Sequence, residues 1–166
     1  SPIQIFHHLN QIDLEWSKVN ILLGDDRVVD KDHHDSNEKL IKDHLLINKA
    51  KRANYISLLY PMLSYDSLVF PFTVVLLGLG VDGHFASLFS SLLEDKNLFD
   101  INAQPEIYSS ISPLGEPSYQ RVTMNLAMLT STHRCILLVS SNAKRNIITQ
   151  GKINKDLPIY YLLNQS

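Results

Sequence analysis

The sequence lacks the features that mark disulfide-stabilised proteins, membrane proteins and nucleic-acid-binding proteins. One cysteine among 166 residues excludes an internal disulfide, so a reducing cytoplasm is the expected location. The longest apolar runs, such as residues 74–77, are far below the ~20 residues that span a bilayer. The formal net charge is only -2 and the basic residues are scattered, so neither a nucleic acid nor a membrane is an expected partner.

The chain also lacks low-complexity segments and recognisable linkers, and its 45% of hydrophobic residues is typical of a globular protein. Residues 1–166 are therefore expected to form a single domain. The one cysteine, Cys135, lies in an apolar run and is predicted to be a buried, unreactive side chain. The oligomeric state stays open, with a monomer favoured.

Three short apolar runs, each rich in Val, Ile or Leu and closed by glycine or polar residues, predict buried strands. They are residues 19–23, 73–77 and 135–139. Helices are predicted between and after them, one with Ser36 as its N-cap and one from Asn142 to Gly151. This alternation predicts an α/β fold, an open, mostly parallel, Rossmann-like sheet with helices on both faces and some additional antiparallel strand.

Two further segments carry strand-like patterns. Residues 121–128 alternate between apolar and other side chains, which predicts a strand with one buried and one polar face. Residues 159–163 form a short apolar run after Pro158 and predict an edge strand.

Polar loops follow each of the three predicted parallel strands. Asp25 and Arg27 come after the first, the glycine-rich residues 78–84 after the second, and Lys144 soon after the third. In open parallel sheets, ligands bind beyond the carboxyl ends of the strands. These loops are therefore expected to form one composite site.

A G-x-G-x-x-G pattern spans residues 78–83 and is shared with dinucleotide-binding loops. Asp82 argues against a nucleotide, because its carboxylate would lie close to the pyrophosphate. The glycines instead permit a tight turn that presents Asp82 and His84 together, and an acid beside an imidazole favours a general base. An alternative stays open, in which Asp82 caps a helix over residues 85–93 and His84 is a solvated turn residue.

Two basic residues are candidates for anion binding. Lys144 is predicted in the first turn of a helix, where the helix dipole disfavours a cation and favours an anion. Arg121 is predicted on the polar face of the strand over residues 121–128. For each residue the alternative is a solvated surface charge.

The His-His-Asp run at residues 33–35 contains groups that can bind metals. Adjacent side chains are expected to point apart, however, and no further ligands are spaced to close a site. No metal is therefore expected.

Residues 77–89, LGLGVDGHFASLF, closely resemble the signature loop of 6-phosphogluconolactonases, which belong to the glucosamine/galactosamine-6-phosphate isomerase superfamily. Shorter similarities follow the family's order along the chain, at residues 25–29, 35–37, 121–124 and 142–144. Ser90 and Val28 depart from the family pattern, which usually has proline and an aromatic residue there. Ser1 and Pro2 are similar to the end of the family's phosphate loop. That similarity implies that the first strand and most of the loop precede residue 1, and it leaves a C-terminal truncation open.

The resemblance implies hydrolysis of 6-phospho-D-glucono-1,5-lactone to 6-phosphogluconate in the pentose phosphate pathway, without metal or organic cofactor. It implies that His84 is the general base, that Asp82 orients it, and that Arg27 steadies the lactone. It also implies that Arg121 and Lys144 hold the phosphate. The full set of expected substrate-binding residues is Ser1, Asp25, Gly80, Gly83, Arg121 and Lys144.

Two alternative functions stay open on the same fold. In a glucosamine-6-phosphate deaminase or isomerase, Asp25 would abstract a carbon-bound proton. Residues 86–89 lack the glutamate found in the deaminase sequence, which favours the lactonase. The other alternative is a sensor that binds a sugar phosphate without catalysis.

Overall fold

A computed structural model describes residues 2–59 and 68–165. Its strands are β1 (Asn20–Leu22), β2 (Asp25–Arg27), β3 (Asn54–Ile56), β4 (Val75–Gly78), β5 (Ile107–Ser109), β6 (Arg121–Met124) and β7 (Cys135–Leu138). Its α-helices are α1 (Ile3–Leu9), α2 (Asn37–His44), α3 (Lys96–Phe99), α4 (Leu126–Thr130), α5 (Asn142–Gly151) and α6 (Ile159–Leu163). Short 3-10 helices lie at Trp16–Lys18, Asn48–Arg52 and Ser90–Leu92.

The strands pair in both parallel and antiparallel arrangements. β1 pairs with β3 and β4 pairs with β7, both in parallel. β6 lies between β2 and β5 and is antiparallel to both. The α/β fold with additional antiparallel strand that the sequence predicts is therefore confirmed. Within the described ranges the pairing is divided among three sheets rather than one.

Local sequence signals account for the two longest helices. Ser36 begins α2, because its hydroxyl accepts a hydrogen bond from the backbone nitrogen of Lys39 over 3.2 Å. Ser141 begins α5 in the same way, with its hydroxyl 3.3 Å from the nitrogen of Lys144. Such caps satisfy backbone donors that the first helical turn leaves free. The predicted helix starts are confirmed to within one residue.

The predicted strand over residues 121–128 is wrong in its second half. β6 ends at Met124, and the Asn125 side chain accepts a hydrogen bond from the nitrogen of Met128 over 3.0 Å as the N-cap of α4. The predicted polar face is present at Arg121 and Thr123, but it is buried rather than exposed, as are all four residues of β6. An asparagine that caps a helix overrides the strand pattern around it.

Two other expectations, a strand over residues 159–163 and the alternative of a helix capped by Asp82, are wrong. Residues 159–163 form the helix α6, in which Ile159 and Leu162, three positions apart, are the buried residues. The alternative helix over residues 85–93 does not form. Only Ser90–Leu92 adopts a 3-10 helix, and Ala86 has a positive φ of 47°. A run of five apolar residues does not separate a short helix from a strand.

The predicted burial of Cys135 is wrong as well, since this cysteine is exposed. β7 pairs only with β4 among the described strands, and Ile136 next to the cysteine is 44% exposed. The half-covered strand explains why an apolar run does not bury all of its side chains.

The main hydrophobic core lies around β4, β6 and α4. Phe85 and Leu88, just after the glycine-rich loop, are 0% exposed and belong to this core. They anchor the residues that follow His84. Because Leu77, just before the loop, is also buried, both ends of the loop are attached to the core. Within residues 2–59 and 68–165, no helix is both long enough and apolar enough to cross a bilayer.

Candidate active site

Pairing between β2 and β6 collects four polar side chains on one face of the antiparallel sheet. Asp25 lies opposite Thr123, and Arg27 lies opposite Arg121. Residues two apart on a strand point to the same face, and so do residues directly opposite each other. The expected site residues Asp25, Arg27 and Arg121 therefore share a face.

The glycine-rich loop presents Asp82 and His84 as a pair, with Nδ1 of His84 2.5 Å from Oδ1 of Asp82. Gly83 has a φ of +84°, which other residues adopt only with strain. Gly80 has no room for a side chain, because a Cβ atom there would collide with the His84 ring and the Asp82 carboxylate. Gly80 and Gly83 therefore shape the loop around the Asp82–His84 pair.

His84 is partly accessible, with 32% of its side chain exposed. One side of its ring packs on Phe89, at 4.5 Å between ring centroids and a tilt of 33°. Phe89 is buried and also lies 5.7 Å below the guanidinium carbon of Arg121. Phe89 thus joins the loop after β4 to the β2–β6 face.

Asp25 lies at the centre of this arrangement. Its Oδ2 atom accepts a hydrogen bond of 2.6 Å from the hydroxyl of Ser87, and the nitrogen of Ser87 donates to Thr123 Oγ1 over 3.3 Å. Burial raises the pKa of Asp25, while the Ser87 hydrogen bond and the charges of Arg121, Arg27 and His84 partly offset that rise. The charges of both arginines and of His84 therefore favour the ionised form of one carboxyl group.

The two arginines are held by backbone carbonyls rather than by carboxylates. Nη1 of Arg27 donates to the oxygen of Asp35 over 2.7 Å. Arg121 is 4% exposed, and its Nε and Nη2 atoms donate to the oxygens of Leu114 and Pro117 over 3.2 and 2.9 Å. Burial, followed by the charge of Arg27, lowers the pKa of Arg121. Arg121 is therefore a fixed, buried cation, which rules out the alternative of a solvated surface charge.

Lys144 lies in the first turn of α5. β4 and β7 are parallel and in register, so this turn and the glycine-rich loop follow the same edge of their sheet. The Lys144 side chain is half-buried, and none of the described residues gives it a hydrogen bond or an ion pair. The expected contribution of Ser1 lies outside the described residues.

The His-His-Asp run at residues 33–35 differs from the sequence expectation, because its side chains do not point apart. The rings of His33 and His34 stack at 4.2 Å, and ligand atoms of the three residues lie within 4.8 Å of one another. Several of these atoms already have partners. Nδ1 of His33 accepts from the nitrogen of Asp35 over 3.1 Å, and Oδ2 of Asp35 accepts from the hydroxyl of Tyr119 over 2.9 Å.

Sequence reasoning did not assign a role to Asp26, which fixes β2 against α2. Asp26 is buried, and its carboxylate accepts from the nitrogens of Asn37 and Glu38, at the start of α2, over 2.7 and 3.0 Å. A carboxylate at this position satisfies free helix donors and complements the helix dipole. Burial still raises the pKa of Asp26, with these backbone hydrogen bonds acting in the opposite direction. The position of Asp26 between two predicted site residues, Asp25 and Arg27, was the one sequence feature that could have indicated a role for it.

Comparison with known proteins gives consistent results. The model of the family described as glucosamine-6-phosphate isomerases/6-phosphogluconolactonase matches residues 1–166. A 6-phosphogluconolactonase of Caulobacter vibrioides is 32% identical, over 99% of this chain and 75% of its own length. One from Helicobacter pylori is 34% identical, over 91% of this chain and 68% of its own length.

Solved structures show the same relationship. A 6-phosphogluconolactonase from Shewanella baltica superposes with a TM-score of 0.84 at 27% identity, over 99% of this chain and 75% of that chain. One from Thermotoga maritima superposes with a TM-score of 0.79 at 25% identity, over 97% of this chain and 75% of that chain. The family expected from residues 77–89 is confirmed. This chain belongs to the glucosamine-6-phosphate isomerase/6-phosphogluconolactonase family.

Proposed function

We propose that this protein hydrolyses 6-phospho-D-glucono-1,5-lactone to 6-phosphogluconate, a reaction of the pentose phosphate pathway that takes place in the cytoplasm. The observation that carries the proposal is the Asp82–His84 pair, 2.5 Å apart, on a loop that Phe89 joins to the face of Asp25, Arg27 and Arg121. The relatives named above share this activity in their names. The pair supplies a base, and the arginines supply positive charge for an anionic substrate.

His84 is the general base of the proposed mechanism. Asp82 accepts the hydrogen of Nδ1, which leaves Nε2 unprotonated and able to accept a proton from water. Packing of Phe89 against the imidazole holds the ring in one direction. The water oxygen forms a bond to the lactone carbonyl carbon as its proton moves to Nε2. The ester bond to the ring oxygen then breaks, and that oxygen takes up the proton as the C5 hydroxyl.

Arg27 stabilises the negative charge that develops on the carbonyl oxygen. Its Nε atom is buried and is the one buried side-chain nitrogen or oxygen for which residues 2–59 and 68–165 provide no hydrogen-bond partner. A buried donor without a partner is costly, so an acceptor from the substrate would relieve that cost. Donors fixed in this way before the reaction stabilise charge in the transition state.

Arg121 and Lys144 hold the 6-phosphate. Arg121 uses Nε and Nη2 for backbone carbonyls, and the described residues give its Nη1 atom no partner, so hydrogens remain for phosphate oxygens. Lys144 adds a second positive charge beside the free backbone nitrogens at the start of α5, where anions bind favourably. Asp25 accepts a substrate hydroxyl or orders the water, and Ser87 fixes its carboxyl group.

The deciding experiment is an assay of acid release from fresh 6-phosphogluconolactone, with the spontaneous ring opening subtracted. The proposal expects rapid release, and parallel incubation with glucosamine 6-phosphate should yield no ammonia. Ammonia release without lactone hydrolysis would identify the deaminase alternative. Binding of 6-phosphogluconate with no acceleration of hydrolysis would identify the sensor.

A further inference from the structure

Two different parts of the chain hold the two ends of Arg27. Its backbone belongs to β2 and pairs with Arg121 of β6. Its guanidinium is held by the segment at the start of α2. There Nη1 donates to the backbone carbonyl oxygen of Asp35 over 2.7 Å and to the side-chain Oδ1 of Asn37 over 3.3 Å. The contact to Asp35 is the shorter of the two, so the position of the Asp35 carbonyl largely sets the direction of the guanidinium.

Tyr119 reaches this turn from a distant part of the sequence. Its hydroxyl donates to Oδ2 of Asp35, 84 residues away, over 2.9 Å. Its ring meets His33 edge-on, with centroids 5.8 Å apart. His34 also lies 3.3 Å from Oδ2 of Asp35, but its side chain is 79% exposed, so this contact is worth little. The hydrogen bond to Asp35 raises the pKa of Tyr119, and the hydroxyl therefore remains a donor.

Tyr119 is itself part of the segment that holds Arg121. The nitrogen of Leu114 donates to the oxygen of Tyr119 over 2.8 Å and closes residues 114–119 into a loop. The oxygens of Leu114 and Pro117 in this loop accept from Arg121. One loop thus holds Arg121 directly and reaches Arg27 through Asp35.

We propose that Tyr119 is a positioning residue that aims Arg27 at the lactone carbonyl by fixing the Asp35 turn. This role rests on the proposed lactonase function, in which Arg27 stabilises the developing oxyanion. Without the tyrosine hydroxyl, Arg27 keeps its charge, but its guanidinium is no longer held in one orientation. Transition-state stabilisation therefore falls more than binding of the ground state.

Substitution of Tyr119 by phenylalanine tests the proposal, because it removes only the hydroxyl. We expect Tyr119→Phe to lower kcat roughly three- to tenfold, the size expected for one hydrogen bond. The Kd of 6-phosphogluconate, measured by calorimetry, should change by less than about twofold. In an Arg27→Ala background, Tyr119→Phe should have no further effect on kcat, because the positioned group is absent.

Tyr55→Phe is the matched control. The Tyr55 hydroxyl also donates to a carboxylate on the α2 segment, Oε2 of Glu38, over 3.3 Å, but among the described residues no hydrogen bond or ion pair joins Tyr55 or Glu38 to Arg27. Its kcat should stay at the unsubstituted level. An unchanged kcat for Tyr119→Phe, or an equal loss with and without Arg27, would overturn the positioning role.

A measurement that needs no turnover separates this proposal from the proposed function. The side-chain ¹⁵N NMR signals of Arg27, assigned with an Arg27→Lys variant, should show faster guanidinium rotation in Tyr119→Phe than in the unsubstituted protein. Unchanged rotation would refute the positioning role even in a protein without lactonase activity. Absence of lactone hydrolysis in the unsubstituted protein would refute the proposed function alone.

Discussion

Oδ1 of Asp82 lies 2.5 Å from Nδ1 of His84, and the two residues are separated by a glycine with a φ of +84°. The shared loop makes the pair a unit, because the backbone that positions the acid also positions the base. Replacement of His84 removes the proposed general base, and replacement of Asp82 removes the group that orients it, so both variants test the proposed mechanism.

His84→Ala removes the proposed base. We expect kcat to fall by at least ~10², the lower range for loss of general-base catalysis, while the Kd of 6-phosphogluconate stays nearly unchanged. Asp82→Asn should have a smaller effect, because the imidazole remains but its tautomer is no longer fixed. Lactone hydrolysis and product calorimetry on both variants provide the measurement. Full activity in His84→Ala would exclude the mechanism.

Lys144→Ala probes the phosphate contact. A hydrogen bond to a charged group contributes ~1.5–3 kcal/mol, and we expect a loss of that size in kcat/KM with the phosphorylated lactone. Glucono-1,5-lactone without phosphate should be hydrolysed at an unchanged rate. Lys152→Ala, at the other end of α5, is the matched control and should have no effect. Equal losses on both lactones would show that Lys144 does not bind the phosphate.

Sequence patterns predicted the parts of the fold that depend on neighbouring residues. Ser36 and the residues after it contain all that is needed to begin α2, and residues 77–89 contain the whole turn that presents His84. The failures occurred where one side chain or the tertiary packing overrides a local pattern. Asn125 ends β6 by capping α4, and residues 159–163 are helical although their apolar run suits a strand equally well.

The supporting residues of the site were less predictable, because their partners are far away in sequence. Ser87 contacts Asp25 across 62 positions, and Tyr119 contacts Asp35 across 84. No local pattern specifies such pairs. Phe89 lay inside the resembling segment, yet only the structure shows that it packs on both His84 and Arg121.

Asp25→Asn is expected to stabilise the protein at neutral pH. Burial is the largest cause of the raised pKa of Asp25, and its ordinary value is 3.8. A raised pKa means that the folded state holds the proton more tightly, so the contribution of Asp25 to stability is full below pH 3.8 and is lost as the pH rises through the folded-state pKa. Asparagine has no proton to lose and stays neutral, so the stability gain of the variant should grow from about pH 4 upward and then level off.

Urea unfolding of Asp25→Asn and the unsubstituted protein at a series of pH values measures this difference. Asp13→Asn is the control for an exposed aspartate, because the Asp13 side chain is 94% exposed and its ion pair with Lys49 over 3.5 Å is worth little, and we expect no comparable gain in stability. A stability difference for Asp25→Asn that is constant or shrinks with rising pH would contradict the prediction. The same variant should lose lactonase activity, since Asp25 lies among the proposed catalytic groups.

Gly115→Ala should disturb both the 114–119 loop and the support of His84. Gly115 has a φ of +73°, which costs a residue with a side chain ~1–2 kcal/mol. A Cβ atom there would also lie 2.7 Å from Cζ of Phe89 and 3.1 Å from Nη2 of Arg121. Because Phe89 is buried, it has little room to move, and we expect a loss of at least ~1–2 kcal/mol in the free energy of unfolding.

The control is Gly78→Ala at the end of β4, where a Cβ atom would meet nothing within 4 Å. Its stability should stay within ~0.5 kcal/mol of the unsubstituted protein. Urea unfolding compares the two variants, and kcat below the unfolding transition reports on His84. Displacement of Phe89 by Gly115→Ala should lower kcat even in the fully folded variant, because the ring that backs the imidazole has shifted. A folded Gly115→Ala protein with unchanged stability and kcat would show that the contact between Gly115 and Phe89 does not support the site.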